Sequence, residues 1–367
     1  MPDDIYSTTV TETKPQLGGA SDLVQGIIGQ LNTAPDIPAD LRARVQERLT
    51  QLVTLSNSPS FLPEIDRMSR YVDWITHLPW NKRTQDILDL ERAKQVFEKH
   101  HYGLQDLKSR IMESMAVMQL NLQKQKDGGT STKSTVLCLV GLVGTGKTTM
   151  AYAIAEALGR KLARIPFGGM GDPLDLRGQS RMHPEAEPGK VIKALRVAGS
   201  KNPVILLDEI DRVTDAGRAS IMGVLVELLD PSQNNAFVDH YIDYPIDLSE
   251  AIFIATANNT TGIATAVMDR LEPIQMPSYN DQEKIEIAKR YILPKELEDA
   301  AMGPDVIEFS EGVWHSLVRP LGYDAGIRTL QRTIRGVVRK VAKLLVEGKG
   351  THFVINEENV KQFLPQM

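Results

Sequence analysis

Apolar positions in residues 21–80 recur at helical spacing. Leu41, Val45, Leu49, Leu52 and Leu55 fall three and four apart and line one helix face. Ile65, Met68, Val72 and Ile75 line a second. Asp36-Ile37-Pro38 before the first stripe and Ser56-Asn57-Ser58-Pro59 after it are start and breaker signals. Neither stripe lasts the three or four heptads a coiled coil needs, so both predict core packing in a small bundle. A third helical stretch covers 104–122, followed by a polar linker over 124–133, rich in Gly, Ser, Thr and Lys.

The texture then changes. Short apolar runs at 136–140, 204–207 and 252–255 alternate with helical patterns at 147–158, 189–198 and 218–229. Buried strands alternating with helices predict an α/β fold with a largely parallel sheet. Beyond about Ser278 the chain reads as helices over 281–292, 310–318 and 325–347, with one short strand at Phe353-Val354-Ile355. Residues 1–20, Thr-rich and poor in apolar positions, read as a disordered tail.

Composition narrows the function classes. The 367 residues carry 42 Lys plus Arg against 47 Asp plus Glu, a formal charge of −5, which argues against a surface built wholly for nucleic acid. A single cysteine, Cys138, excludes an internal disulfide framework and a multi-cysteine metal site. No apolar run approaches the roughly 18 residues of a membrane span, and the polar start is unlike a secretory signal. The expectation is a cytoplasmic protein with no membrane partner.

Gly141-Leu142-Val143-Gly144-Thr145-Gly146-Lys147-Thr148 fits G-x-x-x-x-G-K-[ST] between an apolar strand and a helical pattern. Its glycines let backbone N–H groups turn inward around a phosphate, and the following helix offers its N-terminus to the anion. Lys147 supplies a cation for the β/γ-phosphates and the Thr148 hydroxyl a ligand for Mg²⁺. Val204-Ile205-Leu206-Leu207-Asp208-Glu209 is a buried strand ending in two carboxylates. Asp208 suits the Mg²⁺ shell, and Glu209 suits activation of the attacking water. The cofactors expected are therefore ATP and Mg²⁺. The histidines show no metal-ligand spacing.

This strand, loop, helix and acidic-strand order resembles the AAA+ class of P-loop ATPases. Longer strings narrow the match: Gly168-Gly169, Leu174-Asp175-Leu176-Arg177-Gly178, Pro188-Gly189-Lys190 and Leu228-Leu229-Asp230-Pro231-Ser232-Gln233-Asn234 look like the ATPase module of the Lon protease family. So do Tyr71-Val72-Asp73-Trp74, Leu78-Pro79-Trp80-Asn81 and His101-Tyr102-Gly103-Leu104. The likeness covers about residues 60–365. It implies a P-loop AAA+ parallel sheet flanked by helices, an N-terminal helical bundle and a C-terminal helical lid. The division implied is a tail at 1–20, a helical segment at 21–100, the large ATPase domain at 101–277 and the lid at 278–367.

The resemblance also implies roles. Asn258 falls at the family's sensor-1 position, Arg328 at its sensor-2 position and Arg270 at its arginine finger, which reaches into a neighbouring subunit. His101, Tyr102 and Gly103 fall where the family lines its adenine pocket; Thr145 and Thr149 complete the phosphate-binding stretch. A finger supplied in trans needs a head-to-tail ring, and the family forms hexamers.

Three departures shape the functional reading. The chain stops at Met367, where the family's peptidase domain would follow, so ATP hydrolysis is expected and proteolysis is not. Most of the family's N-terminal recognition domain has no counterpart. The family's aromatic-aliphatic pore pair is replaced by His183-Pro184, which offers little apolar area with which to grip a polypeptide. The primary expectation is an ATP-driven ring that remodels or unfolds polypeptides. The alternatives are a nucleotide-gated scaffold that threads nothing, and a motor subunit serving a separate peptidase. Nucleic-acid handling, suggested by Arg332, Arg335, Arg339, Lys340 and Lys343, ranks last because a solvated lid face accounts for these residues.

Overall fold

A computed structural model describes residues 18–55, 58, 61–87, 89–126, 136–318 and 326–364. The chain opens with three helices, α1 (Gly18–Asn32), α2 (Ala39–Thr54) and α3 (Phe61–His77). Helix α1 therefore starts inside the stretch read as a tail, and residues 1–17 lie outside the described residues, as does most of the expected linker. Leu41, Val45, Leu49 and Leu52 are buried on α2 as the spacing requires. Leu55 is not: it is the residue after the last turn and is 43% exposed, because the helix ends before it can join the stripe. Ile65, Val72 and Ile75 are buried on α3, with Met68 packed beside them.

Helix α4 (Leu90–His100) lies inside the implied helical segment, although no apolar stripe of its own marks it. Asp89 caps it, accepting from the Glu91 and Arg92 amides at 2.9 and 3.2 Å. Helix α5 (Gln105–Lys126) follows. Next come β1 (Val136–Val140), α6 (Lys147–Leu158), β2 (Leu162–Pro166), α7 (Leu174–Arg177), α8 (Lys190–Ala198), β3 (Val204–Asp208) and α9 (Arg218–Leu229). A short ribbon, β4 (Phe237–Val238) with β5 (Pro245–Ile246), precedes β6 (Ile252–Ala257), α10 (Thr265–Met268) and β7 (Leu271–Gln275).

The five longer strands form one parallel sheet in the order β2-β3-β6-β1-β7. Strands β1 and β3 are buried throughout and β6 nearly so, hence their unbroken apolar runs. The unpredicted strands β2 and β7 lie at the two edges. β2 alternates buried with outward-facing positions and β7 mixes the two, and Pro273 in β7 is tolerated because an edge strand leaves one side unpaired.

Two cores sandwich the sheet. On one face Ala93, Val96 and Phe97 of α4 pack with α5 and α6. On the other, α8 and α9 pack in a cluster that continues without a break into α1, α2 and α3. Tyr71 on α3 donates its hydroxyl to the Ile242 carbonyl at 3.0 Å, and the Trp80 and Tyr244 rings meet edge-on at 5.8 Å.

A separate core holds the C-terminal helical unit. Its first helix, α11 (Asp281–Ile287), carries an Asn280/Glu283 capping box. The helical run does not stop at 292. A π turn over 288–292 leads into α12 (Leu293–Asp299), and the widened turn takes up Pro294, which has no N–H to donate. Strand β8 (Ile307–Phe309), α13 (Val313–Val318), α14 (Arg328–Val346), β9 (Phe353–Ile355) and α15 (Val360–Phe363) complete the unit, with β8 and β9 paired in parallel. Helices α13 and α14 each begin three residues later than their patterns suggest, while residues 319–325 lie outside the described residues.

Candidate functional site

In a parallel sheet all strands end at one edge, and loops leaving adjacent strands converge there. The loops after β1, β3 and β6 do so here. Val140 pairs with Ala257 and Leu207 with Ala255, so residues 141–148, 208–209 and 258 meet in one crevice.

The loop after β1 is built on glycine. Gly144 and Gly146 have φ of +84° and +94°, a region that L side chains rarely enter. Lys147 Nζ donates to the carbonyls of Gly141 and Leu142 at 2.6 and 3.0 Å and to Asn258 Oδ1 at 3.1 Å. Burial lowers the Lys147 pKa, and the carboxylates of Asp211 and Glu209 work against that shift. The Thr145 hydroxyl donates to the Leu142 carbonyl at 2.9 Å, and the Thr149 hydroxyl to the Gly146 carbonyl at 2.8 Å; both brace the loop's own backbone.

Asp208 ends β3 almost wholly buried, at 3% exposure. Its Oδ1 accepts from Thr256 at 2.5 Å and from Thr148 at 3.4 Å, and its Oδ2 accepts from Arg164 Nε at 2.7 Å. Glu209 has φ +57° and ψ +51°, and its amide donates to the Thr256 hydroxyl at 2.9 Å. A non-glycine residue in that region marks backbone held by its surroundings. The Asn258 Nδ2 is buried with no hydrogen-bond partner among the described residues, although its Oδ1 is engaged by Lys147. An orphaned amide beside a buried ammonium and a glycine cradle is what an anionic ligand would satisfy.

The C-terminal unit closes one side of the crevice. Ile327 N donates to the Gly144 carbonyl at 3.1 Å, and a Cβ on Gly144 would come within 3.2 Å of Arg328 Cγ. Arg328 is thus the first helical residue of α14 and lies against the glycine loop. Tyr279 donates its hydroxyl to the Thr145 carbonyl at 3.2 Å, and burial pushes its pKa to about 12. His101, at the end of α4, is buried with its Cε1 3.6 Å from where a Gly146 Cβ would stand. Desolvation pushes its pKa down to about 4. Arg290 of the C-terminal unit stands 5.1 Å from the Tyr102 ring centroid, and Gly103 has φ +63° next to Glu283. Residues 101–103 thus bridge the glycine loop and the C-terminal unit.

Residues 137–279 match the family model of the AAA ATPases, and residues 298–353 match that of the Lon protease AAA+ lid domain. The chain is 40% identical to a Lon protease of Halothermothrix orenii over 329 residues, covering 90% of this chain and 41% of that protein. It is 41% identical to Lon protease 2 of Thermus thermophilus over 335 residues, with the same two shares. The chain carries an AAA+ module of the Lon type. It spans about two fifths of the length of the curated relatives it matches.

Two features of this Lon-type module lie outside the crevice. Arg270 precedes β7, and its carbonyl accepts from Val136 N at 3.2 Å, so it sits where β1 begins rather than where β1 ends. Four residue steps of about 3.3 Å, roughly 13 Å of strand, separate the two edges. Arg270 instead donates to Asp230 Oδ2 at 2.7 Å. Ser232, then Arg270, hold the Asp230 carboxyl well below the usual carboxylate range. The second feature is the loop between α7 and α8. His183 and Pro184 are exposed at its tip, Met182 is 81% exposed, and Arg70 of α3 donates to the Pro184 carbonyl at 3.4 Å. Below the tip, buried Asp239 accepts from the Gly189, Tyr241 and Ile242 amides at 2.7, 2.8 and 3.0 Å.

The site also contains residues the sequence did not flag: Thr256, Arg164, Asp211 and Tyr279. Thr256 left a trace as the polar member of an otherwise apolar strand, and Arg164 as a charge in the middle of β2. Asp211 and Tyr279 left none.

Proposed function

We propose that this chain is the ATP-hydrolysing part of a Lon-type ring that remodels or unfolds polypeptides. The observation that carries the reading is the convergence of Lys147, Asp208 and Asn258, from three neighbouring strands, on one glycine cradle. Lys147 would bind the β/γ-phosphates, aided by the amides of 144–149. Thr148 and Asp208 would hold Mg²⁺; two protein oxygens suit an ion that keeps waters and takes its remaining ligands from phosphates. An ion held there would supply charge to offset that of the phosphates. Glu209, fixed by the Thr256 hydroxyl through its backbone, would take a proton from the attacking water. Asn258 would orient that water and the terminal phosphate. Arg328 would add charge from the lid side, and residues 101–103 would line the adenine.

Arg270 would complete a neighbour's site. Its place at the far edge of the sheet supports a finger acting between subunits, and hence a head-to-tail ring, which we take as hexameric by likeness to the family. The basic face of α14 gives little support to nucleic-acid handling. Arg335 is paired with Glu296 at 2.8 Å, and Lys340 donates to the carbonyls of Gln362 and Leu364. Among the described residues no helix is long and apolar enough to cross a membrane. Cytoplasmic residence is part of the same reading.

One observation favours a second reading, the nucleotide-gated scaffold. The loop tip that likeness to the family would place at the pore presents Met182, His183 and Pro184, with no aromatic residue among them. Steady-state ATP hydrolysis over a range of protein concentrations, with and without an unfolded polypeptide and with Glu209→Gln as the blank, separates the readings. Assembly-dependent hydrolysis stimulated by polypeptide supports the remodelling ring. Hydrolysis indifferent to polypeptide supports the scaffold. No hydrolysis above the blank at any concentration removes the remodelling ring, whereas nucleotide-dependent assembly that survives Glu209→Gln supports the scaffold.

A further inference from the structure

Between the amino-terminal helices and the α7–α8 loop lies an open cleft of about 710 Å³. Its walls carry four guanidinium groups: Arg44 and Arg48 on α2, Arg67 on α3, and Arg181 from the loop. Two carboxylates stand among them, Glu64 at 2.7 Å from Arg67 and Asp243 at 3.5 Å from Arg181. Both pairs are partly exposed, and such pairs exchange readily for an incoming anion. Arg44 lies 5.4 Å from the Tyr244 ring centroid, and Arg48 has no acidic partner among the described residues. A cationic cleft of this kind stands out on a chain of net charge −5. The floor is different in kind: half-buried Met68 and exposed Val238 line it with accessible apolar surface.

We propose that this cleft docks acidic polypeptide segments beside the ring pore. Arg44 and Arg48 are four apart on a helix, so their side chains rise from points about 6 Å apart. Alternate side chains of an extended peptide are about 7 Å apart. Two carboxylates at i and i+2 therefore match two planar, bidentate donors, and the residue between them is free to face elsewhere in the cleft. A neighbouring apolar side chain has Met68 and Val238 to cover. Nucleic acid fits less well. Its backbone gains nothing from an apolar floor, and a polyanion meets the chain's overall negative charge as well as Glu64 and Asp243. Arg181, stacked 3.9 Å above the Tyr71 ring centroid, belongs to the loop that ends in Met182 and His183. A peptide held in the cleft is therefore presented directly to that tip.

The proposal goes beyond the ATP-hydrolysing reading and needs no nucleotide, so its test is independent of that reading. A fluorescein-labelled peptide of alternating glutamate and leucine is titrated with the full chain without nucleotide, and binding is followed by anisotropy. Its lysine counterpart and a single-stranded oligonucleotide are the comparison probes. The glutamate peptide is expected to bind at least tenfold more tightly than the lysine peptide and to weaken as salt rises. Arg44→Glu with Arg48→Glu should weaken it about tenfold or more. Arg48→Gln alone should weaken it severalfold while leaving the melting temperature and basal ATP hydrolysis as they were. Equal binding of the two peptides, or affinity unchanged in both variants, overturns the proposal. So does an oligonucleotide that binds more tightly than the glutamate peptide and is lost in the same variants.

Discussion

Lys147 Nζ and Asn258 Oδ1 lie 3.1 Å apart, a hydrogen bond that ties the glycine loop after β1 to the strand-tip loop after β6. The bond leaves the Asn258 Nδ2 buried and without a hydrogen-bond partner among the described residues. An amide held in that way acts as a preorganised donor to charge that develops in the transition state, and removing one such donor costs about 10²–10³ in kcat. Asn258→Ala should lose hydrolysis on that scale while keeping nucleotide affinity within a few-fold. A loss of affinity as large as the loss of rate would place Asn258 in ground-state binding instead.

Arg164 sets the electrostatics of Asp208. Both Nε and Nη2 reach the same oxygen, Oδ2, at 2.7 and 2.5 Å. Arg164 is half exposed, so the pair is worth about 1 kcal/mol or less. A guanidinium on the carboxylate that would hold Mg²⁺ repels that ion. Arg164→Gln is therefore expected to lower the Mg²⁺ concentration for half-maximal hydrolysis about three- to fivefold. The measurement is an Mg²⁺ titration at fixed ATP. An unchanged or raised midpoint would mean that Arg164 helps to hold the ion or the nucleotide.

The contrast between Lys147 and Arg164 shows which parts of the site were legible in sequence. Lys147 belongs to a contiguous motif, and the backbone geometry of that motif dictates its spelling. Asp208 and Asn258 each end an apolar run, because their strands are buried in the middle of the sheet. Arg164 and Thr256 touch Asp208 from 44 and 48 residues away, and no local pattern encodes such contacts. The same distinction separates the strands. β1, β3 and β6 are central and read as unbroken apolar runs, whereas β2 and β7 are edges with mixed surfaces. Helix α4 lies in a stretch expected to be helical, but no stripe fixed its bounds, because only Ala93, Val96 and Phe97 are buried on it, too few to stand out from polar neighbours.

His101 makes the junction of α4 with the glycine loop sensitive to acid. Its pKa is about 4 in the folded chain against 6.5 unperturbed, chiefly through desolvation, and its Nε2 has no partner among the described residues. The native state therefore resists a proton that the unfolded state accepts. Stability is intact above pH 6.5, falls as pH drops from 6.5 toward 4, and loses nothing further from this group below that. The full loss is roughly 3 kcal/mol. Urea unfolding at pH 7 and pH 5 should show a smaller drop in His101→Phe than in the unaltered chain. Equal drops in the two proteins would assign the acid sensitivity to other groups.

Arg270 and Glu209 offer a test of assembly, because the fold puts them at opposite edges of one sheet. If each hydrolysis site takes Glu209 from one subunit and Arg270 from the next, Arg270→Ala and Glu209→Gln are each inactive alone. An arginine finger supplied in trans is worth about 10³–10⁵ in rate. Mixed in equal amounts, the two variants should regain activity. A site is then intact when its own subunit keeps Glu209 and its neighbour keeps Arg270, which random mixing allows in about a quarter of cases. Arg270→Ala also leaves Asp230 without its guanidinium, so melting temperatures are compared first to exclude simple unfolding. Recovery toward about a quarter of the unaltered rate would establish a site shared between subunits. Two folded, inactive variants that stay inactive when mixed would mean that Arg270 serves its own chain, as the partner of Asp230 at the end of α9.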